Sequence, residues 1–390
     1  METPREKSRI RQPIDEHDQR AGRHGKAPKL ESYFRAMIKA NASDLHLKSN
    51  SPPHIRMRSV IHPGKSGPLS EEEILEMATE IMTDKQRAFF VEHGSIDLAH
   101  ELEGSDRFRI NVFRQRGQVS VSVRRVTKDI PDFALLHLPP IVEEIAAFHQ
   151  GLILLAGPTG CGKSTTIAAM LEHINKTRAC HVVTIEDPIE YIYEDKKALI
   201  SQREIGIDVE DFTFALKYLM RQDPDVILIG EMRDHETFQA ALQAAETGHM
   251  VLGTIHASSA PQTIGRILDL FPPDARDRVR QSLAFNLRAV ICQKLLPSIA
   301  EGIDRIPAAE ILIINPSARQ MIEDGRDAEL NEIIRSNERD GMQSFTKSLL
   351  DLIEADRIDP KVAYENAPNV DELKMLMKGI SSSRSGLLGR

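Results

Sequence analysis

From Gly151 onward, short runs of apolar residues alternate with longer stretches in which apolar residues recur at helical spacing. The short runs are nearly continuous in apolar residues, which is typical of strands that are covered on both faces. They lie at Leu152–Ala156, His181–Ile185, Val226–Gly230, Met250–Ile255, Ala289–Leu296 and Glu310–Asn315. Helices are predicted between them, notably at Phe212–Met220 and Asp234–Ala245. This order predicts a doubly wound α/β sheet, in which ligands gather at the carboxyl ends of the strands.

The chain before Gly151 has a different pattern, which predicts a second, smaller α/β domain. A first helix is indicated by apolar residues at helical spacing, namely Leu30, Phe34, Met37 and Ile38. A second helix is predicted after Ser70, because Ser70–Glu73 resembles a capping box. Alternating stretches at 107–113 and 118–124 predict a β-hairpin that turns near Gly117.

Changes in composition along the chain predict its division into domains. Residues 1–28 are polar and of mixed charge, so we expect a disordered extension there. The remaining boundaries place the N-terminal domain at 29–130, a linker at 131–150, the α/β core at 151–315, a helical C-terminal region at 316–368 and a tail at 369–390.

Composition and charge narrow the classes of function. The 390-residue chain has a formal net charge of −8 and a pI of about 6.0. It therefore lacks the positive field of proteins that bind nucleic acid mainly through phosphates, which disfavours a nucleic-acid translocase without excluding it. Its 3 cysteines are widely spaced, which rules out a four-cysteine zinc site and favours a reduced, cytoplasmic setting. The charged N-terminus is unlike a signal peptide, and no apolar run is long enough to span a membrane.

A phosphate-binding loop follows the first predicted strand of the core. Its residues match the pattern G-x-x-x-x-G-K-[ST] and lead into a helix that starts near Thr165; they are Gly157, Pro158, Thr159, Gly160, Cys161, Gly162, Lys163 and Ser164. The glycines let backbone N–H groups turn toward phosphates, and Lys163 adds a positive charge. Ser164 is then placed to bind Mg²⁺. A nucleotide such as ATP is the predicted ligand.

Acidic side chains at two strand ends are candidates for the remaining chemistry of a P-loop ATPase. Glu231 closes the apolar strand that starts near Asp225, as a Walker B acid does, and it would face the metal through water. Glu186, Asp187 and Glu190 follow another strand. Acids in solvated loops are common, so this second cluster alone does not establish catalysis.

Two further groups of residues have both structural and functional interpretations. His249 and His256 bracket one predicted strand, and an imidazole at its carboxyl end could donate to a γ-phosphate oxygen or relay the nucleotide state. The predicted hairpin carries five arginines, Arg107, Arg109, Arg114, Arg116 and Arg124. Composition alone favours solvated strand faces for them, although ring ATPases use an arginine from elsewhere to stabilise the transition state.

Taken together, these motifs resemble the type II/IV secretion ATPase superfamily and, within it, the PilT-like pilus-retraction (twitching-motility) ATPases. The resemblance runs from about residue 30 to about residue 365. The matching segments are Asn41–Leu47, Arg107–Asn111, Gly157–Ser164, Thr184–Glu190, Gln202–Glu204, Arg221–Asp225, Gly230–Asp234, Ala245–His249 and Thr254–His256.

The resemblance implies a RecA-like core, an N-terminal PAS-like domain and a homohexamer that hydrolyses ATP with Mg²⁺. By position it implies that Glu190 is the general base and Glu231 the Walker B acid, and that His249 and His256 form the His box. It further implies that Arg109 and Arg124 reach ATP, with Arg107 and Arg116 less closely matched. The implied partner is an inner-membrane platform protein at the cytoplasmic face, with membrane association only through partners and no direct contact with nucleic acid.

The sequence separates pilus retraction from pilus extension less sharply. Extension and type II secretion ATPases usually carry a four-cysteine zinc module and a longer N-terminal region, which this chain lacks. Retraction ATPases carry a C-terminal motif Ala-Ile-Arg-Asn-Leu-Ile, where this chain has Ser317–Ile322, with Arg319 retained. A retraction motor is therefore predicted, and an accessory retraction paralogue and an assembly or secretion ATPase stay open.

Overall fold

The computed structural model describes residues 28–57, 60–102 and 105–379. The extension predicted at 1–28 thus lies, except for Pro28, outside the described residues. The chain divides into two compact units, Met1–Arg125 and Val126–Arg390. In the described ranges, no helix combines the length and apolar character that crossing a bilayer requires.

The first unit is a six-stranded sheet with helices packed against it. Its helices are α1 (Lys29–Lys39), α2 (Glu71–Glu80) and α3 (Asp84–His93), and its strands are β1 (Asp44–Lys48), β2 (His54–Met57), β3 (Val60–Pro63), β4 (Ser95–Glu101), β5 (Arg107–Gln115) and β6 (Gln118–Val126). The strand order is β3-β2-β1-β6-β5-β4. Phe34 of α1 stacks on Phe108 of β5 at 4.3 Å between ring centroids, within the core that these elements share.

Local signals in this unit act as the sequence predicts. The Ser70 hydroxyl accepts a hydrogen bond from the Glu73 N–H, and the Glu73 carboxylate accepts one from the Ser70 N–H, so the capping box that begins α2 is confirmed. Between β5 and β6, Arg116 and Gly117 have φ angles of 50° and 80°. Two consecutive positive φ angles are those of a type I′ turn, which confirms the predicted hairpin.

The second unit is a seven-stranded sheet covered by helices. Its strands are β7 (Gly151–Ala156), β8 (His181–Glu186), β9 (Leu199–Glu204), β10 (Val226–Ile229), β11 (Met250–Ile255), β12 (Leu287–Pro297) and β13 (Arg305–Ile313). Its helices are α4 (Ile141–Ala146), α5 (Lys163–Thr177), α6 (Phe212–Leu219), α7 (His235–Glu246), α8 (Ala260–Asp269), α9 (Arg276–Asn286), α10 (Pro316–Glu323), α11 (Leu330–Ser336), α12 (Phe345–Glu354), α13 (Pro360–Asn366) and α14 (Val370–Met377).

The sheet of the second unit has the order β13-β12-β7-β11-β10-β8-β9. All of its neighbouring pairs are parallel except β12 and β13. Along β7, Leu152 and Leu154 pack into the core on one face, whereas Ile153 and Leu155 pack into the core on the other. This burial on both faces explains the continuous apolar runs and confirms the predicted α/β class, including the helical C-terminal region.

The strands at the two edges of this sheet differ from the predictions. Strand β9 was not predicted, because its sequence Leu-Ile-Ser-Gln-Arg-Glu lacks an apolar run and most of its side chains are partly exposed. Strand β13 begins at Arg305 and ends at Ile313, earlier than the predicted Glu310–Asn315. It ends there because the Asn315 side chain accepts the Ala318 N–H at 2.8 Å and so caps α10.

Two helices lie in segments that the sequence assigns to a linker and a tail. Helix α4 lies within 131–150, where Val142 and Ile145 are buried in the core. Helix α14 lies within 369–390, where the Asn369 side chain accepts N–H groups of the first turn and Leu373 is buried. In both segments the burial of a few apolar residues stabilises a short helix that lacks a long periodic pattern.

Candidate functional site

The phosphate-binding loop connects β7 to α5 at the carboxyl edge of the sheet. Gly157, Gly160 and Gly162 have φ angles of 146°, 77° and 95°, in the region that favours glycine. The Lys163 ammonium donates to the carbonyl oxygens of Gly157 at 2.8 Å and Pro158 at 3.1 Å. The first turn of α5 thus starts beside a strongly curved loop with a cation against it, which is the arrangement that binds anionic phosphates.

Glu190 lies next to the start of α5. Its Oε1 accepts a hydrogen bond of 3.0 Å from the Ser164 hydroxyl. The neighbouring Tyr191 hydroxyl donates to Thr165 Oγ1 at 3.0 Å, so two successive residues after β8 contact two successive residues of α5. The structure therefore brings the predicted base together with the predicted magnesium ligand.

Glu231 follows β10 and is linked to the loop through His256. Its Oε1 lies 3.0 Å from His256 Nε2, and His256 Nδ1 lies 3.2 Å from the Gly157 carbonyl oxygen. Both partners of the ring are acceptors, so both hydrogen bonds are complete when His256 carries a proton on each nitrogen. Arg233, with Nη2 2.5 Å from Glu231 Oε2, lowers the pKa of Glu231, and His256 adds to this effect. Glu231 is thus held as a carboxylate.

His249 lies at the other end of β11 from His256. Its Nδ1 contacts the Ala244 carbonyl oxygen at 3.0 Å and the Thr247 hydroxyl at 3.1 Å. Strand β11 has 6 residues, and the two histidines flank it, so at about 3.3 Å per residue they lie about 23 Å apart. Within this unit the structure does not bring His249 to the phosphate-binding loop.

The predicted arginines lie in the first unit, on β5, β6 and the turn between them. Arg124 Nε donates to Asp44 Oδ1 at 2.9 Å, although 69% of the Arg124 side chain is exposed. Arg109 on β5 is paired in register with Ala99 on β4, while Arg114 lies over the Phe90 ring at 5.5 Å. Asp44 itself is buried and also contacts Arg56 at 3.6 Å.

Two features near the loop were not predicted from the sequence, namely a cavity and the burial of Glu186. A cavity of about 380 Å³ lies against Gly157 and His256, and its lining includes the cationic side chains of Arg266 and Lys294. Glu186 was noted only as a strand-end acid. It is buried, and this burial raises its pKa to about 7. The one feature of the sequence that could have indicated this burial is that Glu186 is the last residue of a mostly apolar strand.

The oxygen donors of Ser164 and Glu231 are of the kind that Mg²⁺ prefers. Throughout the described residues, no three His, Cys, Asp or Glu side chains converge as a metal-binding group. Mg²⁺ usually takes only one or two protein ligands and completes its shell with phosphate oxygens and water. A hydroxyl and a carboxylate beside a phosphate-binding loop therefore fit this ion.

Comparisons with known proteins agree with this architecture. The model of the family "Type II/IV secretion system protein" matches residues 24–346. The chain is 36% identical to the type IV pilus ATPase PilU of Pseudomonas aeruginosa, over 90% of this chain and 91% of PilU. It is 40% identical to the type IV pilus retraction ATPase PilT of the same organism, over 84% of this chain and 95% of PilT. A crystal structure of the pilus retraction motor PilT with bound ADP superposes with a TM-score of 0.82 at 40% identity, covering 90% of this chain and 99% of that one.

Proposed function

The chain belongs to the type II/IV secretion system protein family, and from this membership we propose that it is an ATP-hydrolysing motor that drives retraction of a type IV pilus. The observation that carries the proposal is the 3.0 Å contact between Ser164 and Glu190 beside Lys163. This contact joins a phosphate-binding loop to a carboxylate that can act on water. The names of its relatives support pilus retraction as the work that hydrolysis drives.

In the proposed reaction, the phosphates of ATP lie in the loop formed by Gly157–Ser164. Lys163 leaves the loop carbonyls for the phosphate oxygens, and Ser164, together with Glu231 through water, would hold Mg²⁺. When bound, Mg²⁺ would neutralise part of the negative charge of the phosphates. Glu190 accepts a proton from a water molecule as that water bonds to the γ-phosphorus. The bond between this phosphorus and the bridging oxygen breaks, and ADP leaves with its electron pair.

We further propose that the motor is a cytoplasmic homohexamer at the inner face of the inner membrane. In such a ring, Arg109 and Arg124 stabilise the charge that develops on the γ-phosphate. His249 lies away from the loop of its own unit, which leaves it free to act at another surface of the ring. Rotation of the domains is passed to a platform protein in the membrane.

Substitution of Glu190 tests the chemistry. Glu190→Gln should still bind ATP but hydrolyse it about 10² to 10⁴ times more slowly, because the amide cannot accept the proton. Glu194→Gln is the matched control, since this residue follows in the same loop and its side chain is 72% exposed. Phosphate release and binding of a fluorescent ATP analogue are measured for each variant. A wild-type rate for Glu190→Gln would remove this residue from its role.

Substitution of the arginines tests the ring. Arg109→Ala or Arg124→Ala should leave the oligomer intact, as measured by light scattering with ATP present, while hydrolysis falls. Because Arg124 is paired with Asp44, each variant is also checked for its melting temperature. If both variants hydrolyse ATP at the wild-type rate, the arginines are surface residues of the hairpin and no more.

Deletion of the gene separates retraction from the remaining alternatives. Loss of twitching with excess surface pili supports a retraction motor, whereas absence of pili indicates an assembly ATPase, and loss of exported protein indicates a secretion ATPase. The same strain also tests the alternative of an accessory retraction paralogue. Normal retraction in the single deletion, with loss only under load or in a double deletion, would support that role. Stimulation of hydrolysis by nucleic acid would instead favour a translocase.

A further inference from the structure

A buried cluster of polar side chains contacts the main chain at and next to Glu190. Its centre is Glu186, the last residue of β8, with 8% of its surface exposed. Glu186 Oε1 accepts hydrogen bonds from the Thr184 hydroxyl at 2.7 Å and from Gln202 Nε2 at 3.2 Å. The backbone N–H of Glu190 is also directed at this carboxyl group and stabilises its charged form. The side chain of Glu186 therefore interacts with the main chain of the proposed base.

Gln202 of β9 holds the chain on the other side of Glu190. Its Nε2 also donates to the Tyr191 carbonyl oxygen at 2.8 Å, and its Oε1 accepts the Tyr193 N–H at 3.0 Å. The side-chain amide of Gln202 thus hydrogen-bonds the main chain of two residues that follow Glu190, in place of a backbone partner. Since an amide has two N–H donors and an oxygen with two lone pairs, these contacts and the one to Glu186 use both donors and one of the two acceptor sites.

We propose that Glu186 and Gln202 are positioning residues for Glu190: they fix the backbone before and after it, so that its carboxylate stays beside Ser164. The proposal rests on the assignment of Glu190 as the base that acts on water. Neither residue touches the phosphate-binding loop in the contacts described above, so both act through Glu190. A shift of about 1 Å in a catalytic group costs on the order of 10²-fold in rate, which makes such anchoring significant.

Because Glu186 can ionise, the positioning of Glu190 should depend on pH. Burial raises the pKa of Glu186 to about 7, and the carboxylate of Glu190 adds to the shift. The hydroxyl of Tyr193 also interacts with the charge of Glu186, and Glu204 lies beside Glu186 in the β8–β9 register. Above pH 7, ionised Glu186 accepts fully from its three donors, and its negative charge makes Glu190 a stronger base. Turnover should therefore rise with pH through about 7.

The test measures kcat and KM for ATP between pH 6 and 9 in the full-length wild type, Glu186→Gln, Gln202→Ala and the exposed control Glu194→Gln. Glu186→Gln keeps the shape of the side chain but cannot ionise. At pH 8 we expect its kcat to fall about 10- to 100-fold, with KM nearly unchanged and the rise through pH 7 lost. Gln202→Ala should lower kcat similarly, and Glu194→Gln should match the wild type in both constants and in profile.

The outcomes separate this inference from the proposed function. A wild-type enzyme without ATP turnover would refute the proposed function itself. Wild-type turnover together with an unchanged kcat and pH profile in Glu186→Gln and Gln202→Ala would overturn only the positioning role. In Glu186→Gln, a uniform loss at every pH with the rise through pH 7 retained would also overturn it, because that result reports less folded enzyme. If one variant fails to fold, the other decides, since the proposal requires both residues.

Discussion

Replacement of Gly157 by alanine would place a methyl group where the phosphate-binding loop leaves β7. The added Cβ would lie 2.6 Å from the backbone oxygen of Gln293 and 2.6 Å from Cys161 Sγ. Gln293 belongs to β12, which is hydrogen-bonded on both sides within the sheet, so its carbonyl group cannot move away easily. The φ angle of 146° is also one that alanine rarely adopts. Overpacking costs about 1–3 kcal/mol and an unfavourable backbone conformation a similar amount, so the unfolding free energy should fall by about 2–6 kcal/mol.

Gly160→Ala is the matched control for this prediction. Gly160 also has a positive φ, 77°, but a Cβ there would meet no atom within 4 Å. Only backbone strain remains, at about 1–2 kcal/mol. At about 2–4 °C per kcal/mol for a unit of this size, the melting temperature should therefore fall by about 4–24 °C in Gly157→Ala and by less in Gly160→Ala. Equal losses in the two variants would refute the argument from steric contact.

Three further predictions concern other parts of the second unit. Because the pKa of Glu186 is raised in the folded state, its protonated form stabilises the fold. This stabilisation is complete below about pH 4.5 and is lost as the pH rises to about 7. A shift of about 2.5 pKa units at 1.36 kcal/mol each corresponds to about 3 kcal/mol of unfolding free energy. Denaturant titrations at pH 5 and pH 8 should show this decline in the wild type and not in Glu186→Gln. Arg280 forms a two-point contact with Asp327 at 2.6 and 3.0 Å, so Asp327→Ala should lower the unfolding free energy by about 1–3 kcal/mol; an unchanged denaturation midpoint would contradict this. EDTA should abolish ATP hydrolysis and added Mg²⁺ restore it, whereas hydrolysis that persists in EDTA would exclude a metal at Ser164.

The strands in the middle of the large sheet were predictable because their environment leaves a simple pattern. Strands β7, β10 and β11 are buried on both faces, and their apolar runs match the observed bounds within one residue. Edge strands carry no such pattern. Strand β9 is partly exposed, and its polar residue Gln202 bonds the loop after β8 instead of packing into a core.

The candidate site was predictable only in part, for a related reason. Lys163, Ser164 and Glu231 belong to contiguous motifs whose spacing alone indicates their chemistry. Contacts between side chains from distant segments leave no such motif in the sequence. Nothing in the sequence indicates that His256 lies between Glu231 and the Gly157 carbonyl oxygen, or that Arg124 lies against Asp44.

Local sequence patterns were enough to predict the phosphate-binding loop, the buried strands of the large sheet, and the edge of the sheet at which the acids emerge. Each of these depends on local spacing and on the period of apolar residues, which are properties of contiguous segments. Tertiary structure alone decided which side chains meet at that edge. Glu186 reads as one acid among three in the sequence, yet its burial between β8, β9 and the Glu190 loop raises its pKa to about 7 and turns it toward the proposed base. Burial of a charge depends on segments distant in the chain, and so no local pattern could reveal it.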